Sequence, residues 1–304
     1  MSDPAISACV AVYNGAELLP RCLKSILAQT RASDEILVLD DGSTDGSADV
    51  ASAFPWVRVI RQDNAGIGAA RKRLVEEASA DWIAFCDHDD WWEPDRLEKT
   101  VAAVRPNATL VYSGVYNVDE QGAKTEAPLW AEPSAPRLRH LLPHQDNIHT
   151  SATLLHRQSV LDSGNFPVGL NNGEDALVFF RLLARGEVVQ VPERLVFYAV
   201  RSGSASAPGR ATYEHEARLF EDYLLPQWDQ LFAALPSSER EEGRQMVLEK
   251  LGYVHSMLGV WKQHEGDRAA AIAEHQLALS YSRSKGNLYR WLRCRLGLRA
   301  SPRG

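Results

Sequence analysis

Four short apolar runs separated by helix-period segments occupy the first third of the chain, and this alternation restricts the fold more than any other feature. Ile6–Val12 reads as a buried strand. Leu18, Leu19, Cys22, Leu23, Ile26 and Leu27 then recur at the spacing of one helical face. Ile36–Leu39 reads as a second strand with a helix behind it from about Thr44 to Ala53. Val57–Ile60, a helix over Ala69–Ala78 and Trp82–Cys86 continue the series, and Pro94 suits the first turn of a helix with inner face Leu97, Val101 and Val104. This rhythm predicts an α/β fold of right-handed β-α-β units on a mainly parallel central sheet. Ligands of such sheets bind beyond the carboxyl ends of the strands.

The acidic clusters fall at those ends: Asp40-Asp41 after the second strand, and Asp87-His88-Asp89-Asp90 after the fourth. In "ADWIAFCDHDDWWEPD" an apolar run stops abruptly at three carboxylates, whose repulsion is costly unless solvent, a cation or hydrogen bonds compensate. A solvated acidic turn capping the next helix meets that need as well as a functional site does. "VLDDGSTDGS" likewise contains an Asp-Gly turn; it approaches the aspartyl-phosphatase pattern D-x-D-G-T, but its acids are adjacent where that chemistry needs them two apart. "GIGAAR" half-matches a dinucleotide fingerprint and lacks its last glycine. His140, His144 and His149 have a zinc-like spacing, yet Pro143 interrupts the helix that would align the first two. "GEDA", Gly173 to Ala176, taken alone is an acidic helix start favoured by the macrodipole.

The middle is less regular. Leu110–Tyr116, Thr153–His156, Val188–Val191 and Leu195–Val200 read as strands, Pro128–Pro143 as a Pro-containing loop, and "RSGSASAPGR" as a loop or boundary. Beyond it the pattern is helical to about Trp291, and Leu251–His264 with Arg268–Ser282 resembles a helical hairpin.

A net charge of −7 argues against general nucleic-acid binding, which needs a basic footprint. The start has neither the basic nor the apolar region of a secretory signal, and no apolar run is long enough to cross a membrane. Cys9, Cys22, Cys86 and Cys294 are scattered, as expected of reduced core thiols in a cytoplasmic protein. From Lys285 to Arg303 basic residues alternate with Leu288, Tyr289, Trp291, Leu292, Leu296 and Leu298, with no acidic residue. Leu288, Trp291, Leu292 and Arg295 share a helical face. Two readings stand: a helix packed on its predecessors with a solvated end, or an amphipathic basic helix making peripheral contact with anionic lipid on the inner face of the membrane.

The order of the motifs carries more than any one of them. A strand into Asp40-Asp41-Gly42-Ser43, then Asn64-Ala65-Gly66 with Ala70-Arg71, then a strand into Asp87-x-Asp89-Asp90, then Glu174-Asp175, resembles the family 2 glycosyltransferases. "VAVYNGAELLPRCLKSILAQT" is similar to that family's first strand and helix, "NAGIGAARKRLVEEASADWIAFCDHDD" to its middle, and "HTSATLLHRQSV" and "YAVRSGSAS" to later segments. The resemblance covers about Ile6 to Ser206.

It implies a GT-A (Rossmann-like nucleotide-diphospho-sugar transferase) domain over residues 1–206, with a donor half over about 1–110 and an acceptor half over 111–206, followed by a helical region over 207–304. It implies an inverting enzyme that moves a sugar from a nucleotide donor, a UDP-sugar by preference, to a hydroxyl on a glycan, glycolipid or other acceptor, in polysaccharide or glycoconjugate synthesis. A divalent cation, Mn or Mg, would stabilise the departing diphosphate as a Lewis acid. Asp89 would ligate it directly, with Asp87 on the ribose or joined to the metal through water, and Asp90 supporting the loop. Tyr13, Asn14, Asp40, Asp41, Arg71 and His88 would complete the nucleotide site. Asp175, with Glu174 beside it, would be the general base. Many relatives carry His where this chain has Arg201; a guanidinium cannot ligate metal but can bind phosphate or acceptor oxygen, so the third ligand stays open. A catalytically silent sugar-nucleotide-binding or partner-binding module is the alternative. A nucleotidyltransferase would need a basic Gly-rich loop after the first strand, and "VYNGAELLP" has no Lys or Arg.

Overall fold

The computed structural model describes residues 4–129, 148–170, 172–201 and 209–298. The chain divides into two compact units, Met1–Ser202 and Gly203–Gly304.

In the first unit nine strands form one sheet: β1 (Ile6–Val12), β2 (Glu35–Asp41), β3 (Val57–Gln62), β4 (Trp82–Phe85), β5 (Trp91–Trp92), β6 (Ala108–Val118), β7 (Lys124–Glu126), β8 (Thr153–His156) and β9 (Glu187–Ala199). Their order is β3-β2-β1-β4-β8-β6-β9-β5, with β7 on β6. β1 to β4, β6 and β9 run one way, and β8, β5 and β7 run against them, so the sheet is mixed and mostly parallel.

Every residue of β1 is buried because both faces of this central strand are covered. Ile6, Ala8, Val10 and Val12 meet Leu19, Leu23 and Ile26 of helix α1 (Leu19–Leu27) on one face. Cys9 and Ala11 face the other side, where α3 (Ile67–Glu77) contributes Leu74 and Val75 and α6 (Glu174–Leu183) contributes Val178 and Phe179. Between these come α2 (Ser47–Ser52), α4 (Arg96–Ala102) and α5 (Arg157–Asp162).

Two local expectations are corrected, and one strand has no signal in the sequence. The helix expected from Thr44 begins only at Ser47, because the Asp45 carboxylate takes the Ser47 N–H (3.0 Å) and holds the preceding residues as a loop. The two strands expected at Val188–Val191 and Leu195–Val200 are one strand, β9. Its register against β6 slips between Val191 and Arg194, so Pro192, which has no N–H to offer, is passed as a bulge rather than ending the strand. The tryptophans after the acidic cluster pair with β9 as β5, an interaction two residues long that leaves no periodicity to read.

The second unit is helical: α7 (Arg210–Arg218), an irregular helical run over 219–231, then α8 (Ser237–His264), α9 (Arg268–Tyr281) and α10 (Lys285–Arg295). Asp267 and Ser284 cap α9 and α10 by accepting the N–H groups of Ala270 and Asn287. Phe220, Trp228, Phe232, Val247, Leu251 and Val254 are buried. Within it both ring nitrogens of buried His255 face carboxylates: Nδ1 lies 2.7 Å from Glu274 and Nε2 3.1 Å from Glu221. On α10 the leucines do not make the inner face. Asn287 and Cys294 are buried while Leu288 and Leu292 are exposed. Asn287 fits inward because Gly252 leaves room for it and because its amide donates to the Ser282 carbonyl (3.0 Å). No helix among the described residues is long and apolar enough to cross a membrane.

Candidate active site

The carboxyl ends of β1, β2 and β4 lie side by side because these strands are neighbours in parallel register. Two loops are laced together there. Asn14, at φ 49°, donates its N–H to Ser43 Oγ (2.9 Å) and accepts the Thr44 N–H on its side chain (2.8 Å). Gly15 N–H donates to Ser47 Oγ (3.0 Å) and Ala16 N–H to Asp45 (2.9 Å). The bonds from Ser47 and Ala16 hold the Asp45 carboxyl below its usual range. Tyr13 stands half out of this lacing. His88 packs on Gly15 so closely that a Cβ there would sit 2.3 Å from its ring, so only glycine fits.

Asp40 and Asp41 are both buried and differ in task. Asp40 accepts the Ser43 N–H (3.1 Å) at the base of the loop. Both oxygens of Asp41 are committed to the end of β3 and the chain after it, taking Gln62 Nε2 (2.7 Å) and the N–H groups of Ala65 (3.0 Å) and Gly66 (2.9 Å). Asp41 thereby sets where α3 begins and, four residues on, where Arg71 points.

Arg71 is the centre of the site. It is buried, and its guanidinium donates to Glu174 and to Asp87 Oδ1 (2.7 Å) and lies 3.9 Å from Asp175 Oδ2. Burial alone would lower its pKa, but the three carboxylates outweigh burial and raise it. Glu174 is pushed up to about 7, first by burial and then by Asp175, against the pull of Arg71. Asp175 accepts the Thr150 hydroxyl on Oδ2 (2.6 Å) and the Ala176 N–H on Oδ1 (2.7 Å).

The acidic cluster after β4 splits by environment. Asp90 is buried, takes the Ser151 hydroxyl (2.5 Å) and the Ala199 N–H (2.9 Å), and has its pKa raised by burial and by repulsion from Asp87 and Asp89. Asp87 pairs with Arg71, and Asp89 pairs with Arg201. Arg21 lies over the Trp91 ring at 3.6 Å and donates to the Asp89 carbonyl (2.8 Å), fixing the turn from outside. His149 packs on Tyr198, ring centroids 4.4 Å apart and the planes tilted by 52°, and burial, outweighing Asp175 and Asp87, lowers its pKa to about 4, so it is neutral at pH 7. His140 and His144 lie outside the described residues, and no cluster of three or more metal-ligating side chains occurs among those described.

Sequence reasoning missed the turn that joins these parts. In the 3-10 turn Thr150–Ala152, Ser151 Oγ accepts the Asp87 N–H (2.9 Å) while donating to Asp90, and Thr150 reaches Asp175. The Ser151 carbonyl accepts from Trp92 Nε1 (3.0 Å) and from fully buried Arg96 (3.3 Å), which also donates to the Thr153 carbonyl (2.6 Å) and lies 4.0 Å from the Trp92 ring. Burial lowers the pKa of Arg96 to about 9. Hydroxyls acting one residue apart have no spacing signature; the only clue was that "HTSATLLH" puts two of them just before a strand that opens on a third.

At the carboxyl end of β4, Asp87 thus faces the helix-borne Glu174 and Asp175 across the buried guanidinium of Arg71. The sequence profile of Glycosyl transferase family 2 matches residues 7–164, and the chain belongs to that family. EpsH of Bacillus subtilis (strain 168) is 38% identical over 129 residues, 41% of this chain and 38% of that protein. Chondroitin synthase of Escherichia coli is 34% identical over 125 residues, 39% of this chain and 18% of that protein. The chain thus spans less than half the length of these curated relatives. The crystal structure of S. aureus TarS 1-349 in complex with UDP-GlcNAc superposes with a TM-score of 0.64 at 17% identity, covering 97% of this chain and 92% of that one, which establishes the shared fold.

Proposed function

We infer that the protein transfers a sugar, with inversion, from a nucleoside-diphosphate donor to a hydroxyl acceptor, Asp175 acting as general base. The observation that carries this reading is the gathering of Asp87, Glu174 and Asp175 around Arg71 at the carboxyl end of β4. In the inferred reaction Asp175 removes the acceptor's hydroxyl proton as that oxygen attacks the anomeric carbon. Burial keeps His149 neutral, so no imidazolium stands beside that carboxylate. Asp40, Tyr13 and Asn14 would hold the base and ribose; Asp41, committed to the 62–66 segment, would shape that pocket through the chain.

Mn or Mg is part of the inference. Asp87 Oδ2 and Asp89 Oδ1 have no partner among the described residues, while the other oxygen of each is held by a guanidinium. Two hard carboxylate oxygens on one turn fit such an ion, which commonly completes its shell with water and substrate phosphate. When bound, the ion would supply charge stabilisation to the departing diphosphate. The UDP-GlcNAc of the TarS complex supports a UDP-sugar donor, and chondroitin synthase supports a polysaccharide or glycoconjugate product. Four free, buried cysteines fit work in the cytoplasm.

Incubation with a panel of nucleotide sugars and Mn, reading nucleoside diphosphate release, tests the activity. Asp175→Asn should keep donor affinity and slow transfer roughly 100-fold or more; calorimetry showing donor binding lost with it would make Asp175 a binding residue. The second reading, a module that binds a sugar nucleotide without turnover, draws on the arginines already paired with Asp87 and Asp89. Donor binding without release under every metal would favour it.

A further inference from the structure

The helix α10 turns its leucines away from its own unit. Asn287 and Cys294 face inward, whereas Leu288, Leu292 and Leu296 form an i, i+4, i+8 row that is 44%, 45% and 73% exposed, with Tyr289 at 58% beside it. At 100° per residue this row spans one side of the helix. Arg295 borders it on one flank and Arg293 on the other, and exposed Lys285 sits at its amino end. Residues 285–298 contain no acidic side chain, although the chain as a whole carries −7. Solvent-facing leucines in a continuous row cost free energy, and a packing requirement does not explain them, because the inward face is already filled by other residues.

We propose that this face docks on an anionic lipid bilayer. The complementarity is in charge as well as apolarity. A leucine row flanked by Arg and Lys is what an interfacial helix presents, its apolar side chains entering the headgroup boundary while the cations meet lipid phosphates. The helix is 11 residues long, so it lies on the surface and does not span. The acidic remainder of the chain is repelled by the same surface, which restricts attachment to this face and fixes which side of the helical unit meets the lipid. The proposal does not rest on the glycosyl-transfer reading, because its test needs no turnover.

Co-sedimentation of the full chain with phosphatidylglycerol vesicles and with phosphatidylcholine vesicles is the experiment. Wild type binds the anionic vesicles at low salt, and added salt releases it. Leu292→Glu combined with Leu296→Glu weakens that binding roughly tenfold or more, and Arg295→Glu weakens it by a smaller factor, with unchanged melting temperatures because all three side chains are exposed. Equal binding by wild type and the double-Glu variant overturns the proposal. So does an absence of binding to anionic vesicles, and so does concentration-dependent self-association that the double-Glu variant abolishes while lipid binding is absent, which would make the row a contact between copies.

Discussion

Thr150 donates its hydroxyl proton to Asp175 Oδ2 at 2.6 Å, joining a turn that also holds the Asp87 loop to the carboxylate assigned as general base. With Oδ1 taking the Ala176 N–H, the carboxylate plane is fixed from two sides.

Thr150→Val keeps the shape and removes the donor. A hydrogen bond to a charged group is worth about 1.5–3 kcal/mol. The transfer rate should therefore fall roughly tenfold to a hundredfold, with donor affinity unchanged and Thr150→Ser close to wild type. Steady-state kinetics with parallel donor calorimetry checks this; a variant that loses rate and donor affinity together would show that Thr150 supports the fold instead.

The raised pKa of Glu174 predicts a pH signature in stability. Its folded value of about 7 lies above the ordinary 4.5, so the native state binds the proton more tightly than the unfolded one. Its favourable contribution is complete below about 4.5 and is lost as pH rises through 7. Melting temperatures of Glu174→Gln relative to wild type should accordingly improve from pH 5 to pH 8. A difference that is flat across that range contradicts the assignment.

His255 predicts a second, separate signature. Both nitrogens point at carboxylates, which only the doubly protonated ring can satisfy as a donor, and despite burial its pKa is raised by Glu274 and Glu221. That stabilisation is present in full below the ordinary 6.5 and disappears as pH rises through the elevated value. The penalty for His255→Gln should be larger at pH 6 than at pH 9, by denaturant titration.

Arg201 holds one oxygen of Asp89, so the guanidinium would compete there with the inferred divalent cation. Arg201→Met should bind Mn alone several-fold more tightly, in line with the ~0.2–1 kcal/mol of a partly exposed ion pair plus the loss of a nearby cation. Asp89→Asn should abolish that binding. Mn titration by electron paramagnetic resonance reads both without turnover.

The parts of this molecule that were legible in the sequence are those set by periodicity and strand-end position. Ile6–Val12 and Trp82–Phe85 announce themselves as buried runs, and their acidic ends follow from β-α-β geometry. What was not legible depends on partners distant in sequence. Asp41 looked like a nucleotide ligand, yet its two oxygens belong to Gln62, Ala65 and Gly66. Which face of α10 turns inward stayed open in the sequence; Asn287 takes that place because Gly252, on another helix, makes the space. Ser151 and Arg96 gain their meaning only when β8 lies antiparallel to β4 and brings the turn before it against the acidic loop.

The Thr150–Ala152 turn has a consequence for thermal motion. Ser151 at its middle carries the loop of Asp87 and Asp90, and Thr150 at its start carries Asp175. A displacement of the turn would therefore shift both together, which in the inferred reaction are the leaving-group side and the proton-accepting side. Their separation, the coordinate along which attacking oxygen and anomeric carbon must meet, is a difference between two positions that fluctuate in phase. In the inferred reaction common motion would cancel in that difference and leave the reacting distance steadier than either of the elements that define it.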